Sequence, residues 1–143
     1  MRRPATGRVL VDTGPLIAIL DDQDAHHRAC VEALTFLQSP LYTCWPVVTA
    51  AAWLLRHSPR AVRRLLDSIN TDFIELLPLA APEVRPIAEL LEKYRSIRPQ
   101  LADAALVYLA RREQIETIFT LDRRDFSIYR TGRGRSFRIL PQL

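Results

Sequence analysis

Short runs of β-forming residues alternate with helical segments along most of this chain, and this alternation restricts the possible folds more than any other feature. The segments between the runs are generally long enough for the crossover of about 12 residues that joins two parallel strands. The pattern therefore predicts an α/β layered fold with a mostly parallel sheet of four to five strands. The predicted strands are residues 8–12, 41–43, 73–77, 117–121 and 137–140.

The segments between the predicted strands carry apolar residues at the three- and four-residue spacing of helices. Several begin with residues that favour a helix start: Asp24 can act as an N-cap, Pro46 suits the first turn, and Ser58 precedes a proline. The pattern predicts six helices, at about 16–20, 25–38, 47–56, 59–69, 84–94 and 101–112.

The chain has 143 residues, of which 48% are hydrophobic and 25% are charged. Because domains usually contain about 100–200 residues, we expect a single domain over residues 1–143. The longest nearly apolar run, residues 44–55, is shorter than the ~20 residues that cross a membrane, so no membrane span is expected. Cys30 and Cys44 form neither a disulfide framework nor a zinc cluster, and we expect buried, unreactive thiols in a cytoplasmic protein.

Three aspartates lie where a parallel sheet would bring them together. Asp12 ends the first predicted strand, Asp122 directly follows the fourth, and Asp103 lies in the first turn of an otherwise apolar helix. The carboxyl ends of parallel strands meet at one edge of a sheet, where ligands bind. Converging carboxylates repel one another unless a cation neutralises them, and Mg²⁺ or Mn²⁺ prefers oxygen ligands. The sequence therefore predicts a divalent-metal site that can hydrolyse a phosphodiester.

Each of these acids also has a purely structural explanation. Asp12 and Asp103 can cap helices, and Asp122 with Asp125 can shape the turn in LDRRDF. Two other acidic α/β enzymes fit the sequence less well. An aspartate-type phosphatase needs a second acid two residues after the first, where Gly14 stands. A phosphoryl receiver needs a lysine late in the chain, whereas the single lysine here lies in mid-helix.

Arginine supplies almost all of the positive charge, with 19 Arg against one Lys and a net charge of +4. Its planar guanidinium group can bind a phosphate through two hydrogen bonds. Six of the arginines follow residue 122, and Asp125 is the one acid in that segment. Such a basic segment can contact a polyanion such as a nucleic acid, but a solubilising surface explains it equally well.

Three segments of the chain, taken together, resemble the PIN-domain family. They are VLVDTGPLIAILD at 9–21, LADAALVYLARRE at 101–113 and IFTLDRRDFSIYR at 118–130. Within this family they are most similar to the stand-alone VapC-like toxins of type II toxin–antitoxin pairs. The resemblance implies a three-layer α/β/α sandwich and an endoribonuclease that depends on Mg²⁺ or Mn²⁺. The partners it implies are an RNA substrate, a second copy in a homodimer, and a small antitoxin whose tail occupies the active-site groove.

The resemblance also assigns roles to individual residues. The family's first, third and fourth acids, which hold the metal, are matched by Asp12, Asp103 and Asp122. Asp125 matches a frequent additional acid, and in this scheme it is catalytic and orients a water molecule. Supporting hydroxyl positions are matched by Thr13 and Thr120. The residues expected to contact RNA phosphates are Arg123, Arg124, Arg133 and Arg135.

The chain departs from the family pattern in the segment TCWPVVTAAAWLL. Ala50 stands where relatives have the family's second acid, a glutamate, and Gln100 stands where many have a further aspartate. Because affinity for a divalent ion follows the number of charged ligands, we expect weakened activity. A native alanine and a deliberately replaced glutamate predict the same weakening. The alternative is a catalytically silent PIN-fold protein that binds RNA or an antitoxin.

Overall fold

The computed structural model of the chain describes residues 7–142. Within this part, the strands form one sheet in which every neighbouring pair is parallel. The strands are β1 (Val9–Val11), β2 (Leu41–Thr43), β3 (Ile74–Leu76), β4 (Thr117–Phe119) and β5 (Arg138–Leu140). Every residue of β1 and of β4 is buried, so other layers cover both faces of the sheet. The predicted α/β/α layering around a five-stranded parallel sheet is confirmed.

The helices of the described residues surround this sheet. They are α1 (Thr13–Leu20), α2 (His27–Leu34), α3 (Trp45–Leu54), α4 (Pro59–Ser68), α5 (Val84–Lys93), α6 (Leu101–Glu113) and α7 (Arg123–Phe126). Two 3₁₀ turns, Ala81–Glu83 and Arg95–Ile97, precede α5 and α6. None of the helices in this part of the chain combines the length and apolar character needed to span a membrane.

Helices α1, α2 and α7 differ from the sequence prediction because side chains intervene, and α3 begins and ends two residues earlier than predicted. The first helix begins at Thr13, three residues earlier than predicted, because Asp12 caps it. The second helix is shorter than predicted: Asp24 accepts from the N–H of His26 instead of capping a helix, and the Thr35 hydroxyl donates to a carbonyl at the other end. In addition, the turn predicted in LDRRDF is one turn of helix, α7.

The order of the strands determines where a ligand can bind. The sheet runs β3-β2-β1-β4-β5, so the chain builds outward from β1 in one direction and then returns to build outward from β4 in the other. In sheets of this kind, a crevice opens beyond the carboxyl ends of the two strands at which the direction reverses. The segments that follow β1 and β4 therefore face this crevice together.

Helix α6 is the most buried helix of the fold and packs against α3 and α5. Most of its residues are alanine, leucine or valine, and Ala105, Leu106 and Val107 are fully buried. A helix that is apolar on nearly all sides needs cover on nearly all sides. Its surroundings consequently fix the position of α6 and of the single acid in its first turn.

Both cysteines are free thiols inside the core, as predicted. Burial raises the pKa of the Cys30 thiol to about 11 and that of Cys44 to about 12. Both side chains therefore remain protonated at neutral pH, and protonated thiols are poor nucleophiles and poor metal ligands.

The packing of α6 generates a stability prediction. The substitution Leu106→Ala removes a fully buried side chain and should lower the free energy of unfolding by about 2–5 kcal/mol. The control Leu101→Ala makes the same change on the same helix at a side chain that is 57% exposed, and should cost within about 0.5 kcal/mol. Urea unfolding curves measure both. Equal losses in the two variants would contradict the placement of α6 in the core.

Candidate active site

Asp12 lies at the carboxyl end of β1, and the fold binds both of its carboxylate oxygens. Its Oδ1 accepts from the N–H of Thr13 at 2.7 Å and so caps α1. Its Oδ2 accepts from the hydroxyl of Thr120 at 2.8 Å. The side chain is buried, which raises its pKa above the usual value, and the nearby charge of Asp122 raises it further.

Thr120 connects the two strand ends on which the site is built. It follows β4 directly, is fully buried, and donates its hydroxyl proton to Asp12. The same hydroxyl oxygen accepts from the N–H of Asp122 at 3.0 Å. One side chain therefore fixes the position of an acid on each strand, in agreement with the supporting role that the family pattern gives to this threonine.

Asp122 and Asp125 are held by α7. The carboxylate of Asp122 accepts from the N–H of Asp125 at 3.1 Å, which makes Asp122 the N-cap of this short helix. Asp125 is the third residue of the helix, so both side chains lie at its amino end. Burial and the charge of Asp122 raise the pKa of Asp125.

Asp103 is the third residue of α6 and is only 9% exposed. Its Oδ2 accepts from the N–H of Gln100 at 3.2 Å. Burial and the charge of Asp12, with smaller contributions from Asp122 and Asp125, raise its pKa to about 7. In the absence of a cation, this carboxyl group is therefore about half protonated at neutral pH.

The acids meet at the crevice beyond β1 and β4. Asp103, Asp122 and Asp125 each offer a carboxylate oxygen, and these three oxygens lie within 4.8 Å of one another. Asp12 stands outside this compact group, but its charge acts on Asp103. The three converging carboxylates are a set of hard oxygen donors that can hold a divalent cation.

The acids have a structural role and can have a functional role at the same time. Asp12 and Asp122 cap helices, and Asp103 accepts a local backbone N–H. These local hydrogen bonds nevertheless leave the carboxylates in a single cluster. The family pattern gives Asp125 a catalytic role beside the metal ligands, and the structure places its carboxylate within the compact group itself. Its three-residue spacing from Asp122, typical of an N-cap and the third residue of a helix, was the available signal.

The two departures from the family pattern lie on helices that begin beside this crevice. Ala50 is half-buried in the second turn of α3, which starts at the carboxyl end of β2. Gln100 directly precedes α6 and contributes its backbone N–H to Asp103. Neither position supplies a carboxylate to the cluster.

The structure places the four candidate RNA-contacting arginines at two different edges of the sheet. Arg123 and Arg124 are exposed on α7, and the charge of Arg124 lowers the pKa of Asp125. Arg133 and Arg135 lie in the loop before β5, whose first residue pairs with the first residue of β4. Arg133 lines a cavity of about 310 Å³ with Arg8 and other residues at this amino edge. Only the first pair therefore lies beside the acids.

The sequence analysis assigns no role to Tyr129, although the charges of the four acids act on its hydroxyl. Its ring is buried after the end of α7, and the pKa of its hydroxyl is raised by burial and by all four carboxylates. Its position in the motif resembles that of an ordinary core aromatic, and no sequence pattern singled it out.

Comparisons with known proteins agree with this geometry. A family model described as PIN domain matches residues 9–133. Ribonuclease VapC26 of Mycobacterium tuberculosis is 33% identical over 135 residues, which cover 93% of this chain and 100% of that protein. The crystal structure of Mycobacterium tuberculosis VapC20, described as a sarcin-ricin loop cleaving toxin, has the same fold. It aligns with a TM-score of 0.71 at 17% identity and covers 77% of this chain and 86% of that one. The chain belongs to the PIN-domain family.

Proposed function

We propose that this protein is a divalent-metal-dependent endoribonuclease that acts as the toxin of a type II toxin–antitoxin pair. The observation that carries the proposal is the group formed by Asp103, Asp122 and Asp125, whose oxygens lie within 4.8 Å at the crevice of the sheet. Family membership and the 33% identity to a protein named ribonuclease support the same activity.

The chemistry of these donors fits Mg²⁺ or Mn²⁺. Burial and neighbouring negative charges raise the pKa values of Asp103 and Asp125, and a divalent cation removes the repulsion between these carboxylates. Three oxygens within one another's reach favour Asp103, Asp122 and Asp125 as direct ligands. Asp12 was the sequence-based choice for this set. It stays a candidate ligand, because each of its oxygens accepts one hydrogen bond, from Thr13 or Thr120, and keeps a further lone pair for a metal.

The proposed reaction is hydrolysis of an RNA phosphodiester. A bound divalent cation supplies a Lewis acid that polarises a phosphate oxygen and lowers the pKa of water. The protein supplies the positioning. Arg123 and Arg124, exposed beside Asp122, are placed to bind RNA phosphates next to the acids. Arg133 and Arg135 remain candidates for contacts with a longer RNA that passes the other edge of the sheet.

We propose that activity is weakened because Ala50 and Gln100 supply no carboxylates. Fewer charged ligands reduce the affinity for a divalent ion. The same observation favours the second candidate function, in which the protein binds RNA or an antitoxin without cleaving RNA. The two candidates differ in one measurable respect: only the nuclease regains cleavage when a carboxylate is restored.

The proposed partners are RNA, an antitoxin and a second copy of the chain. An apolar groove of about 410 Å³ is lined by residues of α3, α5 and α6 and includes Trp45, Val84 and Leu101, all more than half exposed. Leu101 lies two residues before Asp103, so a segment bound in this groove would reach the acid cluster. We propose that the antitoxin covers this groove, that residues 1–143 form a single domain, and that the protein acts in the cytoplasm.

Restoring the missing acid should restore cleavage. The substitution Ala50→Glu should raise the rate at which total bacterial RNA is cleaved in Mn²⁺ by about tenfold or more, because it adds a charged group to the site. The control Ala52→Glu adds the same charge two residues further along α3 and should have no such effect. Gel electrophoresis of RNA fragments measures the rates. Absence of cleavage by the Ala50→Glu variant on any RNA would refute the nuclease.

Neutralising Asp103 should stabilise the metal-free protein. Its folded pKa of about 7 exceeds the unfolded value of 3.8, so its contribution to stability is fully present below pH 3.8 and is lost as the pH rises through 7. The substitution Asp103→Asn removes that loss and should raise the Tm by a few degrees at pH 8 in EDTA, but hardly at pH 4.

The same Asp103→Asn variant should lose most of the stabilisation that Mn²⁺ gives to the original chain at pH 8, because binding to the native state raises the Tm. Differential scanning fluorimetry of both proteins measures the Tm under the three conditions: pH 8 in EDTA, pH 4 in EDTA, and pH 8 with Mn²⁺. A variant that is destabilised at pH 8 without metal would show that Asp103 is a structural acid rather than a ligand.

The homodimer can be tested through the exposed apolar residues of α3 and α4, two helices that pack against each other. Leu54 is 52% and Leu66 is 45% exposed. The double substitution Leu54→Glu with Leu66→Glu should convert a particle of twice 16.4 kDa into a monomer, because it places charges in the interface. Light scattering after size exclusion measures the mass. The control Val84→Glu should stay dimeric, and a monomeric original chain would rule out the homodimer.

A further inference from the structure

Tyr129 lies just beyond α7, between the acid cluster and the aromatic core. Its ring contacts the rings of Phe126 and Tyr94 edge-on, with centroids 5.0 and 4.9 Å away. Its N–H donates to the carbonyl of Asp125 at 3.1 Å, which fixes the backbone of Tyr129 to the acidic helix. With only 1% of its surface exposed, the side chain has a single well-packed position.

The hydroxyl of this tyrosine is buried and makes no hydrogen bond to any of residues 7–142. A buried hydroxyl without a partner costs roughly 1–3 kcal/mol, so such groups are rare in native proteins. A phenylalanine would fill the same space without that cost, as Phe126 does beside it. The presence of the oxygen therefore indicates an acceptor that is not part of the described chain.

The surroundings of the hydroxyl indicate where that acceptor lies. The charge of Asp103 acts on it most strongly among the acids, followed by those of Asp125, Asp122 and Asp12. Burial and these negative charges raise its pKa, so the hydroxyl keeps its proton at neutral pH. A hydrogen-bond donor thus stands beside a cluster of carboxylate acceptors.

We propose that Tyr129 is a positioning residue of the metal site, whose hydroxyl donates to a water molecule held among the carboxylates and through that water orients Asp103. A water can accept from the phenol and donate to a carboxylate at the same time, which satisfies both groups. This inference rests on the proposed metal-dependent function. It adds a residue from outside the acidic set and assigns that residue no part in the bond-breaking step.

The substitution Tyr129→Phe tests the hydroxyl alone, because it leaves the ring and its packing in place. In EDTA the variant should melt at about the same temperature as the original chain, since the ring and its packing are unchanged and the hydroxyl has no partner among the described residues. Its affinity for Mn²⁺ should fall by about tenfold, the scale on which groups behind metal ligands act. Isothermal titration with Mn²⁺ alone measures the affinity, in this chain and in the Ala50→Glu background.

The control is Tyr94→Phe, which makes the same chemical change on the ring that packs against Tyr129. The hydroxyl of Tyr94 accepts from the Arg111 guanidinium at 3.4 Å, so its loss should leave the Mn²⁺ affinity unchanged. If both variants lose affinity equally, the aromatic packing and not the hydroxyl is responsible, and the inference is wrong.

Three further results would overturn the inference in distinguishable ways. If the original chain binds Mn²⁺ and Tyr129→Phe binds it equally well, the hydroxyl has no role and the proposed function stands. If neither the original chain nor its Ala50→Glu variant binds Mn²⁺, the metal site itself is absent and the proposed function fails together with the inference. A Tyr129→Phe variant that melts several degrees lower in EDTA would show that the hydroxyl is structural.

Discussion

Repulsion among four aspartates gathered in one crevice is the constraint on which the rest of this structure depends. The strand order places β1 beside β4, and the residues that follow both strands meet the first turn of α6. Folding therefore moves like charges out of water and toward one another, which raises the pKa of Asp103 to about 7. A fold that only needed stability would place apolar residues here. Retaining the acids is understandable when a cation offsets their repulsion.

The crevice is held together by hydrogen bonds to the carboxylates that oppose this repulsion. The Thr13 N–H and the Thr120 hydroxyl bind the two oxygens of Asp12, and the Gln100 N–H binds Asp103. Hydrogen bonds to an ionised carboxylate favour the charged form, so each of them lowers the pKa that burial raises. Because they come from helix starts and strand ends, they restrict the carboxylates to few orientations. The hydrogen bonds that cap the helices are thus part of the site. The same contacts give these acids their structural role and orient their carboxylates for function.

The sequence predicted the framework of this site better than its detail. The spacing of the apolar residues and the length of each segment predicted the five strands and α6, because both depend on which residues must be buried. The order of the strands then brings the acids together. The choice between Asp12 and Asp125 as the third member of the compact group could not be predicted. It depends on which oxygens the Thr120 hydroxyl and α7 hold, and side-chain hydrogen bonds of this kind leave no periodic signal. Arg133 appears equivalent to Arg123 in the sequence, although the turn into β5 carries it to the opposite edge. Tyr129 stands at a position typical of a core aromatic residue, so the sequence does not show that its hydroxyl is unpaired.

The absence of an acid at position 50 changes the competition between a proton and a cation for the same carboxylates. Asp103 takes up a proton near pH 7 when no cation is bound, and a metal ligand must first release it. A further negative charge, such as the family's glutamate would supply, attracts both competitors. It attracts a divalent ion about twice as strongly as a proton, because the Coulomb energy scales with the charge of the partner. With alanine at position 50, binding of the cation is therefore weakened more than binding of the proton. In the proposed function, the number of acids around Asp103 would accordingly set which of the two occupies the site at neutral pH.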